Sequence, residues 1–386
     1  MKLVDITEFY SQRGGGVRTH LTQKAAACAR LGHEHLVLAP GPKGAEDPGV
    51  RYLPGPATPY DSTYHLLWRV GEARRAIREL RPDVLELHSP YLAAHAALGV
   101  EPGDFGVRTF IWHSDFIDTY LRGGLERGLG FLGGRASRAA DALVEPLWAH
   151  VRRIARACAM TVVGSRWQRD KLLAHGVERV EHHPFGIEPG RFAPERRSEA
   201  RRHELLAGAP GPLILAIGRL AVEKRWDVVF DAFARIAERL PGAVLVVLGD
   251  GPERHALEAR LGPRGDVRMV GFERDRDRLA VTLASGDLLL HGCPFETFGL
   301  GVAEAIASGL PLVSPDVGGA AEQAPPESAA LYPAGDVDAC VAAALRLLTI
   351  PGDQLRARAA GPARRVVSTG DHFAGLFARY AELLAR

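Results

Sequence analysis

The sequence has few cysteines and no cysteine pair at metal-binding spacing. Only four cysteines occur among 386 residues, Cys28, Cys158, Cys293 and Cys340, and no two of them form a Cys-x-x-Cys pair. Neither a disulfide framework nor a zinc knuckle is therefore indicated. We expect a reduced, intracellular protein.

Long apolar runs are also missing. The uncharged apolar stretches Ala243–Gly249 and Leu288–Leu290 are far shorter than the roughly 20 residues that a membrane-spanning helix needs. Asp5 and Glu8 interrupt the region where the apolar segment of a secretory signal would begin. The sequence therefore predicts a cytoplasmic protein, and the inner face of the membrane is the alternative location.

No excess of charge of one sign is present. The 48 basic residues face 46 acidic ones, which gives a net charge of +2 and no electrostatic case for a nucleic-acid partner. Lysine is scarce, because only 5 of the 48 basic residues are lysines. The simplest explanation is a compositional bias towards arginine, and a lysine at a motif position then carries extra weight.

Short apolar, β-branched runs alternate with helical patterns in both halves of the chain. The first half contains the predicted strands Leu3–Thr7, His35–Ala39, Val84–His88, Arg108–Trp112 and Met160–Gly164. The second half contains the predicted strands Leu213–Ile217, Ala243–Leu248, Val267–Val270, Asp287–Leu290 and Pro311–Ser314. This alternation is typical of α/β proteins whose parallel sheets are joined by crossover helices.

A turn-rich connector, His183–Gly190, separates the two halves. It contains two prolines and two glycines in eight residues, which favours a linker over the interior of a helix or strand. We place the domain boundary there and predict domains at 1–187 and 188–370. Two such open sheets facing each other would form a cleft, where small-molecule sites concentrate.

Three glycines, Gly14 to Gly16, precede a predicted helix that begins at Val17. Glycines let a backbone approach a ligand closely, and the amides at a helix start attract phosphate. A dinucleotide fingerprint would need a third glycine where Thr19 stands and a carboxylate near Pro40, and neither is present. A nicotinamide cofactor is therefore disfavoured, and a flexible loop is the alternative interpretation.

Two cations follow the first strand of the second half. Arg219 and Lys224 lie in one loop at the carboxyl edge of the predicted sheet, directly before a helix. An arginine fork together with an ammonium suits a diphosphate. The helix dipole disfavours positive charge at this end unless an anion is bound, although two solvated charges remain the alternative.

Two glutamates, Glu296 and Glu304, follow the predicted strand Asp287–Leu290 with seven residues between them. A carboxylate can accept hydrogen bonds from neighbouring sugar hydroxyls. The amides of Phe298, Gly299 and Leu300 at the following helix start offer a second phosphate site. A lone glutamate in the first turn of a helix most often only interacts favourably with the helix dipole. Two glutamates separated by apolar residues and glycines form a more specific signal for a binding site.

These motifs resemble one family in their order along the chain. The glycine triplet with Val17, the Gly218–Lys224 loop, the Val270–Phe272 turn and the paired glutamates resemble the family 4 retaining nucleotide-sugar glycosyltransferases. The resemblance implies the GT-B fold, in which two Rossmann-like parallel-sheet domains face each other across a cleft. It also implies that a C-terminal helix at about 371–386 packs back on the first domain. Phe185 and Glu188 depart from the asparagine and aspartate that are commoner in the interdomain segment.

The resemblance also implies roles for individual residues. Residues that would act on the transferring sugar and on the leaving diphosphate are His113, Glu296, Arg219 and Lys224. Residues that would bind the donor are Gly15, Gly16, Val270, Gly271, Phe272, Phe298, Gly299, Leu300 and Glu304. Glu304 would hold the ribose, Val270–Phe272 would frame the base, and His113 would contact the sugar.

The expected activity is a retaining, metal-independent transfer of a hexose from a UDP- or GDP-linked donor to a hydroxyl acceptor. The nucleotide sugar is a substrate, and no cofactor is expected. The acidic pair of Asp275 and Asp277 is interpreted as part of a solvated, charged helix rather than as metal ligands. Two alternatives are a non-catalytic nucleotide-sugar-binding protein and a sugar-nucleotide epimerase on the same fold.

The acceptor is less defined by the sequence. Residues 116–157 combine aromatic residues with the arginines Arg122, Arg127, Arg135, Arg138, Arg152, Arg153 and Arg156. A basic, aromatic helical region could rest on an anionic membrane and present a lipid acceptor. Two packed helices with an exposed arginine face are the simpler alternative.

Overall fold

The structure is a computed structural model that describes residues 1–11, 14–59, 61–188 and 190–386, with the backbone alone for Arg127 and Leu132. Pro189 of the predicted connector lies outside the described residues. The chain divides into two compact units. The first comprises Met1–Pro184 and Gly370–Arg386, and the second comprises Phe185–Thr369. The domain boundary that we predicted at residue 187 stays a prediction.

The first unit is built on one parallel sheet. Its strands among the described residues are β1 (Lys2–Ile6), β2 (Glu34–Gly41), β3 (Val50–Pro54), β4 (Val84–Leu87), β5 (Val107–Trp112), β6 (Met160–Val163) and β7 (Val180–His182). Their order across the sheet is β3-β2-β1-β4-β5-β6-β7. The order reverses between β1 and β4, and ligands of open α/β sheets bind outside the carboxyl ends of strands at such a point.

Helices cover both faces of this sheet. In the described part of the first unit they are α1 (Gly16–Arg30), α2 (Val70–Leu80), α3 (Leu92–Leu98), α4 (Gly123–Gly128), α5 (Ala136–Arg156) and α6 (Arg166–Ala174). A π-helical turn, Ile117–Arg122, and a 3₁₀ turn, Gly130–Arg135, flank α4. The apolar face of α5 carries Val144, Trp148 and Val151, all buried in the core.

The second unit repeats the plan with a six-stranded parallel sheet in the described residues. Its strands are β8 (Leu213–Ile217), β9 (Val244–Leu248), β10 (Val267–Gly271), β11 (Leu288–Leu290), β12 (Leu312–Pro315) and β13 (Ala329–Tyr332). Their order is β10-β9-β8-β11-β12-β13, which reverses between β8 and β11. The fully buried strand β9, with the sequence VLVVL, is apolar throughout because both faces of the sheet are covered.

The remaining helices complete the chain. Within the ranges described they are α7 (Glu199–Leu206), α8 (Trp226–Arg239), α9 (Arg254–Leu261), α10 (Arg276–Ser285), α11 (Leu300–Ala307), α12 (Gly319–Gln323), α13 (Val337–Leu348), α14 (Gly352–Ala363) and α15 (Thr369–Leu384). Short 3₁₀ turns lie at Pro194–Arg196 and Val222–Lys224. Helix α15 packs on the first unit, where its Phe373 ring lies 5.3 Å from the ring of His20.

The predicted α/β class with two Rossmann-like parallel sheets is confirmed, and all ten predicted strands are present with small shifts of their ends. Three edge or near-edge strands were missed, β3, β7 and β13. Strand β7 has only three residues, and β3 carries Arg51 and Pro54, so neither shows a clear apolar pattern. In the described residues, no helix combines the length and the apolar character needed to cross a membrane.

Candidate active site

The carboxyl edge of the second sheet brings two distant loops together. Strand β8 leads into Gly218 and the turn Val222–Lys224, whereas the neighbouring strand β11 leads into the loop that carries Glu296. Because the two parallel strands are adjacent, both loops emerge at the same edge. Nζ of Lys224 lies 2.5 Å from Oε1 of Glu296. Two residues that the sequence predicts for the site are thus in direct contact.

Both partners of this ion pair are largely buried. The side chains of Lys224 and Glu296 are 20% and 15% exposed. Burial alone would lower the pKa of Lys224, but the nearby Cys293 and Glu296 raise it above its usual range. Burial would also raise the pKa of Glu296, yet the charge of Lys224 brings it below its usual value. Both groups are therefore ionised at neutral pH.

Two residues beside this pair were not predicted from the sequence as site residues. Nε2 of His291 lies 3.6 Å from Oε1 of Glu296, and burial lowers the pKa of His291 to about 4. Burial likewise raises the pKa of Cys293 to about 12, so the thiol stays protonated. Both residues follow β11 directly. Their position at the end of a buried strand was the available signal.

Arg219 lies in the same loop as Lys224. Its NH2 lies 3.1 Å from Oε1 of Glu223, and its carbonyl oxygen accepts a hydrogen bond of 2.9 Å from Nε1 of Trp226. The first bond orients the guanidinium, and the second fixes the backbone of the loop to the start of α8. Each predicted cation of this loop therefore faces a carboxylate of the chain.

The start of α11 is held by the short helix α12. Gly299 has φ +91°, a left-handed conformation that favours glycine, and it precedes the first helical residue, Leu300. The carbonyl of Phe298 accepts a hydrogen bond from Nε2 of Gln323. A Cβ at Gly319 would lie 2.8 Å from Cα of Phe298, so only glycine permits this packing. The first amides of a helix have no acceptor within it, so those at the start of α11 can bind a ligand.

Glu304 lies one turn further along α11 and is 3% exposed. Oε1 of Glu304 accepts a hydrogen bond of 2.5 Å from NH2 of Arg276. Burial raises the pKa of Glu304, and the charge of Arg276 opposes that rise. The pairing with Arg276 was not predicted.

Asp275 and Asp277 are both exposed at the start of α10, in agreement with their interpretation as part of a solvated, charged helix. The side chain of Asp275 caps α10 by accepting hydrogen bonds from the amides of Asp277 and Arg278, and the helix begins at Arg276. Oδ1 of Asp277 lies 3.0 Å from NH2 of Arg196. An N-cap and two specific ion pairs therefore account for this run of charges.

The predicted base-framing turn ends strand β10. Val270 and Phe272 are both about half exposed, at 47% and 46%. Gly271 between them has φ +82°, and its carbonyl oxygen accepts a hydrogen bond from the amide of Gly249. Two apolar side chains are therefore displayed at the sheet edge, as a base-stacking role requires.

In the first unit the glycine triplet precedes α1. Gly15 has φ +125° and is the N-cap, and Gly16 is the exposed first residue of the helix. No atom of the described residues lies within 4 Å of the position that a Cβ of Gly16 would take. The helix start is therefore open to a ligand, in agreement with a phosphate role but without specifying one.

His113 follows β5 at the carboxyl edge of the first sheet. Its Nε2 lies 2.7 Å from Nδ1 of His88, which follows the neighbouring strand β4. Burial and the nearby His88 hold the pKa of His113 well below its usual range. His113 is therefore neutral at neutral pH.

A buried ion cluster lies behind His113, and sequence reasoning missed it. Asp5 and Glu86 are register partners on β1 and β4, and both are fully buried. Nζ of Lys24 on α1 lies 2.6 Å from Oδ1 of Asp5 and 2.7 Å from Oε1 of Glu86. One signal was available, because Lys24 is one of only five lysines and has the apolar Leu21, Ala27 and Cys28 on the same helix face.

Two groups of side chains bring metal-ligating atoms together in the described part of the chain. They are His291 with Cys293 and Glu296, and Asp5 with Glu86 and His88. In each group a lysine ammonium contacts a carboxylate, Lys224 in the first and Lys24 in the second. The positive charge that these carboxylates need is thus supplied by the chain.

The chain is similar to known proteins along most of its length. Residues 14–191 match the family model described as Glycosyltransferase Family 4, and residues 211–349 match the one described as Glycosyl transferases group 1. A GDP-mannose-dependent α-(1-6)-phosphatidylinositol dimannoside mannosyltransferase of Mycobacterium tuberculosis is 31% identical over 323 residues, 81% of this chain and 79% of that protein. A GDP-mannose-dependent α-mannosyltransferase of the same organism is 29% identical, over 88% of this chain and 85% of that protein.

The fold has counterparts among solved structures. Sucrose-phosphate synthase from Thermosynechococcus elongatus superposes with a TM-score of 0.76 at 19% sequence identity, covering 100% of this chain and 99% of that one. The protein thus has the GT-B fold of the nucleotide-sugar glycosyltransferases. The chain belongs to glycosyltransferase family 4 and is a hexosyltransferase. The predicted family, fold and enzyme class are confirmed.

Proposed function

We propose that the protein transfers mannose from GDP-mannose to a hydroxyl acceptor, without a metal ion and with retention of configuration. The contact between Lys224 and Glu296 at the edge of the second sheet carries this proposal, because it joins a diphosphate-binding cation to a sugar-binding carboxylate. The sequence alone left UDP- and GDP-linked hexoses open. The two mycobacterial relatives favour GDP-mannose.

Arg219 and Lys224 would bind the donor diphosphate and stabilise the charge that develops on it as the leaving group. An ammonium has three donors, so Lys224 can keep its bond to Glu296 while it binds a phosphate oxygen. Fixed positive charge aimed at a leaving group lowers the barrier without reorganisation during the reaction. The role assigned to Arg219 also explains why Glu223 and Trp226 orient it so closely.

Glu296 would accept hydrogen bonds from the donor sugar through the carboxylate oxygen that does not contact Lys224. The amides of Phe298, Gly299 and Leu300 would add main-chain donors, because they open helix α11. Further along the same helix, Glu304 would bind the ribose hydroxyls. Gly15, Gly16 and the Val270–Phe272 turn keep their predicted roles at the diphosphate and the base.

The reaction would proceed on one face of the sugar. The bond from the anomeric carbon to the diphosphate oxygen breaks, and a bond from that carbon to the acceptor oxygen forms. The acceptor proton passes to the departing phosphate, which leaves as GDP. His113 would contact the transferring sugar, and no carboxylate is required as a nucleophile.

We propose that residues 1–187 bind the acceptor and residues 188–370 bind the donor. In the first domain, Phe116 and Trp148 are buried, whereas Tyr120 and Phe131 are exposed at 47% and 81%. Arg135, Arg138, Arg153 and Arg156 are exposed in the same region, and the side chain of Arg127 lies outside the described residues. An aromatic and basic surface of this kind suits peripheral contact with an anionic membrane and a lipid acceptor.

A panel of nucleotides tests the donor assignment. A ligand that binds only the folded protein raises the midpoint of thermal unfolding. We expect GDP and GDP-mannose to raise it more than UDP-glucose, ADP-glucose or TDP-glucose at equal concentration. A larger shift with UDP-glucose would overturn the choice of GDP-mannose, and no shift with any nucleotide would overturn the donor site.

Two further measurements test the rest of the proposal. Nuclear magnetic resonance of the product gives the anomeric configuration, and an inverted linkage would contradict retention. Sedimentation with vesicles containing phosphatidylinositol tests the membrane contact, with phosphatidylcholine vesicles as the control. Equal sedimentation with both kinds of vesicle would contradict an electrostatic contact.

A further inference from the structure

His88 is in contact with His113, and its other ring nitrogen faces the buried carboxylates. Nδ1 of His88 lies 2.7 Å from Nε2 of His113, and the two rings are 18° from parallel. Nε2 of His88 lies 3.1 Å from Oε1 of Glu86 and 3.5 Å from Oδ1 of Asp5. His88 therefore connects a fully buried ion cluster to His113, the residue that follows β5.

The carboxylates determine one of the two protons on His88. Nε2 of His88 faces two carboxylates, which can only accept hydrogen, so their negative charge favours a hydrogen on this nitrogen. The remaining question is which histidine donates across the 2.7 Å contact. If His88 is neutral, its Nδ1 accepts from His113. If His88 is cationic, it donates from Nδ1 and His113 must accept.

The charges around His88 favour the cation. The titratable groups of this cluster come from several elements: Asp5 on β1, His20 and Lys24 on α1, His35 on β2 in contact with Asp5, Glu86 on β4, His113 after β5, and His372 on α15 in contact with His20. Two carboxylates face one lysine in this set, so the cluster needs one more positive charge. His35 contacts Asp5 alone, whereas His88 lies near both carboxylates.

The directions of the pKa shifts of His88, His20 and His372 agree with this balance. Burial would lower the pKa of His88, but Asp5 and Glu86 raise it above its usual value. His20 and His372 do not compete for this proton, because burial lowers the pKa of both.

We propose that His88 is a positioning residue that donates from Nδ1 to His113 and so fixes His113 as the neutral tautomer protonated at Nδ1. His113 then meets the transferring sugar as an N–H donor rather than as an acceptor. This inference rests on the proposed contact between His113 and the sugar. When one ring nitrogen of a histidine accepts a hydrogen bond, the other ring nitrogen of the neutral ring carries the hydrogen. The buried cluster thus determines, through His88, which nitrogen of His113 is protonated.

Two substitutions at His88 separate this role from a structural one. In His88→Asn the amide nitrogen takes the place of Nδ1, which keeps the donor to His113. In His88→Gln the amide nitrogen takes the place of Nε2, which keeps an N–H group facing Glu86 but loses the donor to His113. Both variants remove the same positive charge, so each is the matched control for the other.

We expect His88→Gln to lower kcat at least tenfold, with less than a threefold change in KM for the donor. His88→Asn should stay within threefold of the original enzyme. The original enzyme should lose activity as alkaline pH deprotonates His88, and this loss should be absent in His88→Asn. Equal losses in the two variants would overturn the proposal.

A double substitution separates this inference from the proposed function. With His113→Ala already present, His88→Gln should lower kcat no further, because its effect passes through His113. If His113→Ala alone leaves kcat unchanged, the proposed role of His113 fails. If both single variants lower kcat and their effects multiply, only the positioning role fails.

A spectroscopic measurement gives a result without any turnover. The ¹⁵N shifts of a histidine ring distinguish a protonated from an unprotonated nitrogen, and loss of a signal in His113→Gln assigns His113. We expect hydrogen on Nδ1 and none on Nε2 of His113 at pH 7. Hydrogen on Nε2 would overturn the proposal, even if the His88 variants fail to fold.

Discussion

Nζ of Lys224 lies 2.5 Å from Oε1 of Glu296, although the two residues are 72 positions apart in the chain. The contact exists because β8 and β11 are neighbours at the point where the strand order of the second sheet reverses. Both side chains are mostly withdrawn from water, so each depends on the other for its charge. Removing either one leaves an uncompensated charge at the edge of the sheet.

We expect Lys224→Ala and Glu296→Ala each to lower turnover at least tenfold. Each change should also lower the free energy of unfolding by about 2–3 kcal/mol, because a charged partner is left without its hydrogen bond. The double variant Lys224→Met with Glu296→Gln should regain much of that stability but no activity. Steady-state rates and urea unfolding measure the two effects separately.

An exposed ion pair on the same unit provides the control. NH2 of Arg260 lies 2.6 Å from Oδ1 of Asp231, and both side chains are close to half exposed. Arg260→Ala should change stability by less than about 1 kcal/mol and leave turnover unchanged. Near-normal turnover in both Lys224→Ala and Glu296→Ala would contradict the assignment of the site.

Most strands of the second sheet, and the place of the candidate site residues at its carboxyl edge, could be predicted from the sequence. Strands such as Leu213–Ile217 are continuous apolar runs, and the functional residues follow them directly, so position along the chain was sufficient. The partner of each charged residue could not be predicted. The contact of Arg276 with Glu304 depends on how α10 packs beside α11, which no local pattern encodes.

The buried cluster around His88 could not be predicted from the sequence either. Asp5 and Glu86 interrupt apolar strands, and each alone could be a misplaced strand boundary. Only the register of β1 with β4 places them side by side, and only the packing of α1 brings Lys24 between them. Several charges can be buried together only when each has a partner of opposite charge. The sequence does not show these pairs, because the partners lie far apart in the chain.

We expect Arg276→Met to weaken GDP binding at least fivefold at pH 7. Arg276 donates to the buried Glu304, and without it the pKa of Glu304 rises further above its usual value. A larger fraction of Glu304 is then protonated at pH 6 than at pH 8, so the loss of affinity should be greater at pH 6. Isothermal titration calorimetry with GDP at both pH values measures this effect.

Arg278→Met is the matched control for that experiment. Arg278 lies on the same helix and pairs with Glu273 and Glu204, but its side chain is 55% exposed. Its loss should leave GDP affinity unchanged. An affinity that falls equally at pH 6 and pH 8 in Arg276→Met would show that Arg276 does not act through the ionisation of Glu304.

We expect turnover to survive treatment with a chelator. Lys224 supplies the positive charge beside Glu296 and, with Arg219, would bind the leaving diphosphate, so no ion is needed there. Initial rates should be equal after dialysis against EDTA and after later addition of Mg²⁺ or Mn²⁺. A complete loss of activity in EDTA that is restored by one of these ions would refute metal independence.

The stability of both units should fall as the pH drops from 6.5 towards 4. Burial lowers the pKa of His291 and of His372 to about 4 in the folded protein, below the 6.5 of an unperturbed histidine. Between these values the unfolded chain binds protons that the folded chain does not, so the folded state loses relative stability as pH falls. Each histidine should contribute a loss of roughly 2 kcal/mol between pH 7 and pH 5. Urea unfolding at both pH values measures the loss of unfolding free energy, which should be smaller in His291→Gln and in His372→Gln than in the original protein.

His255→Gln is the control, because the side chain of His255 is 98% exposed. This variant should lose as much stability as the original protein. The same pH dependence in all four proteins would contradict the burial of these two histidines in neutral form.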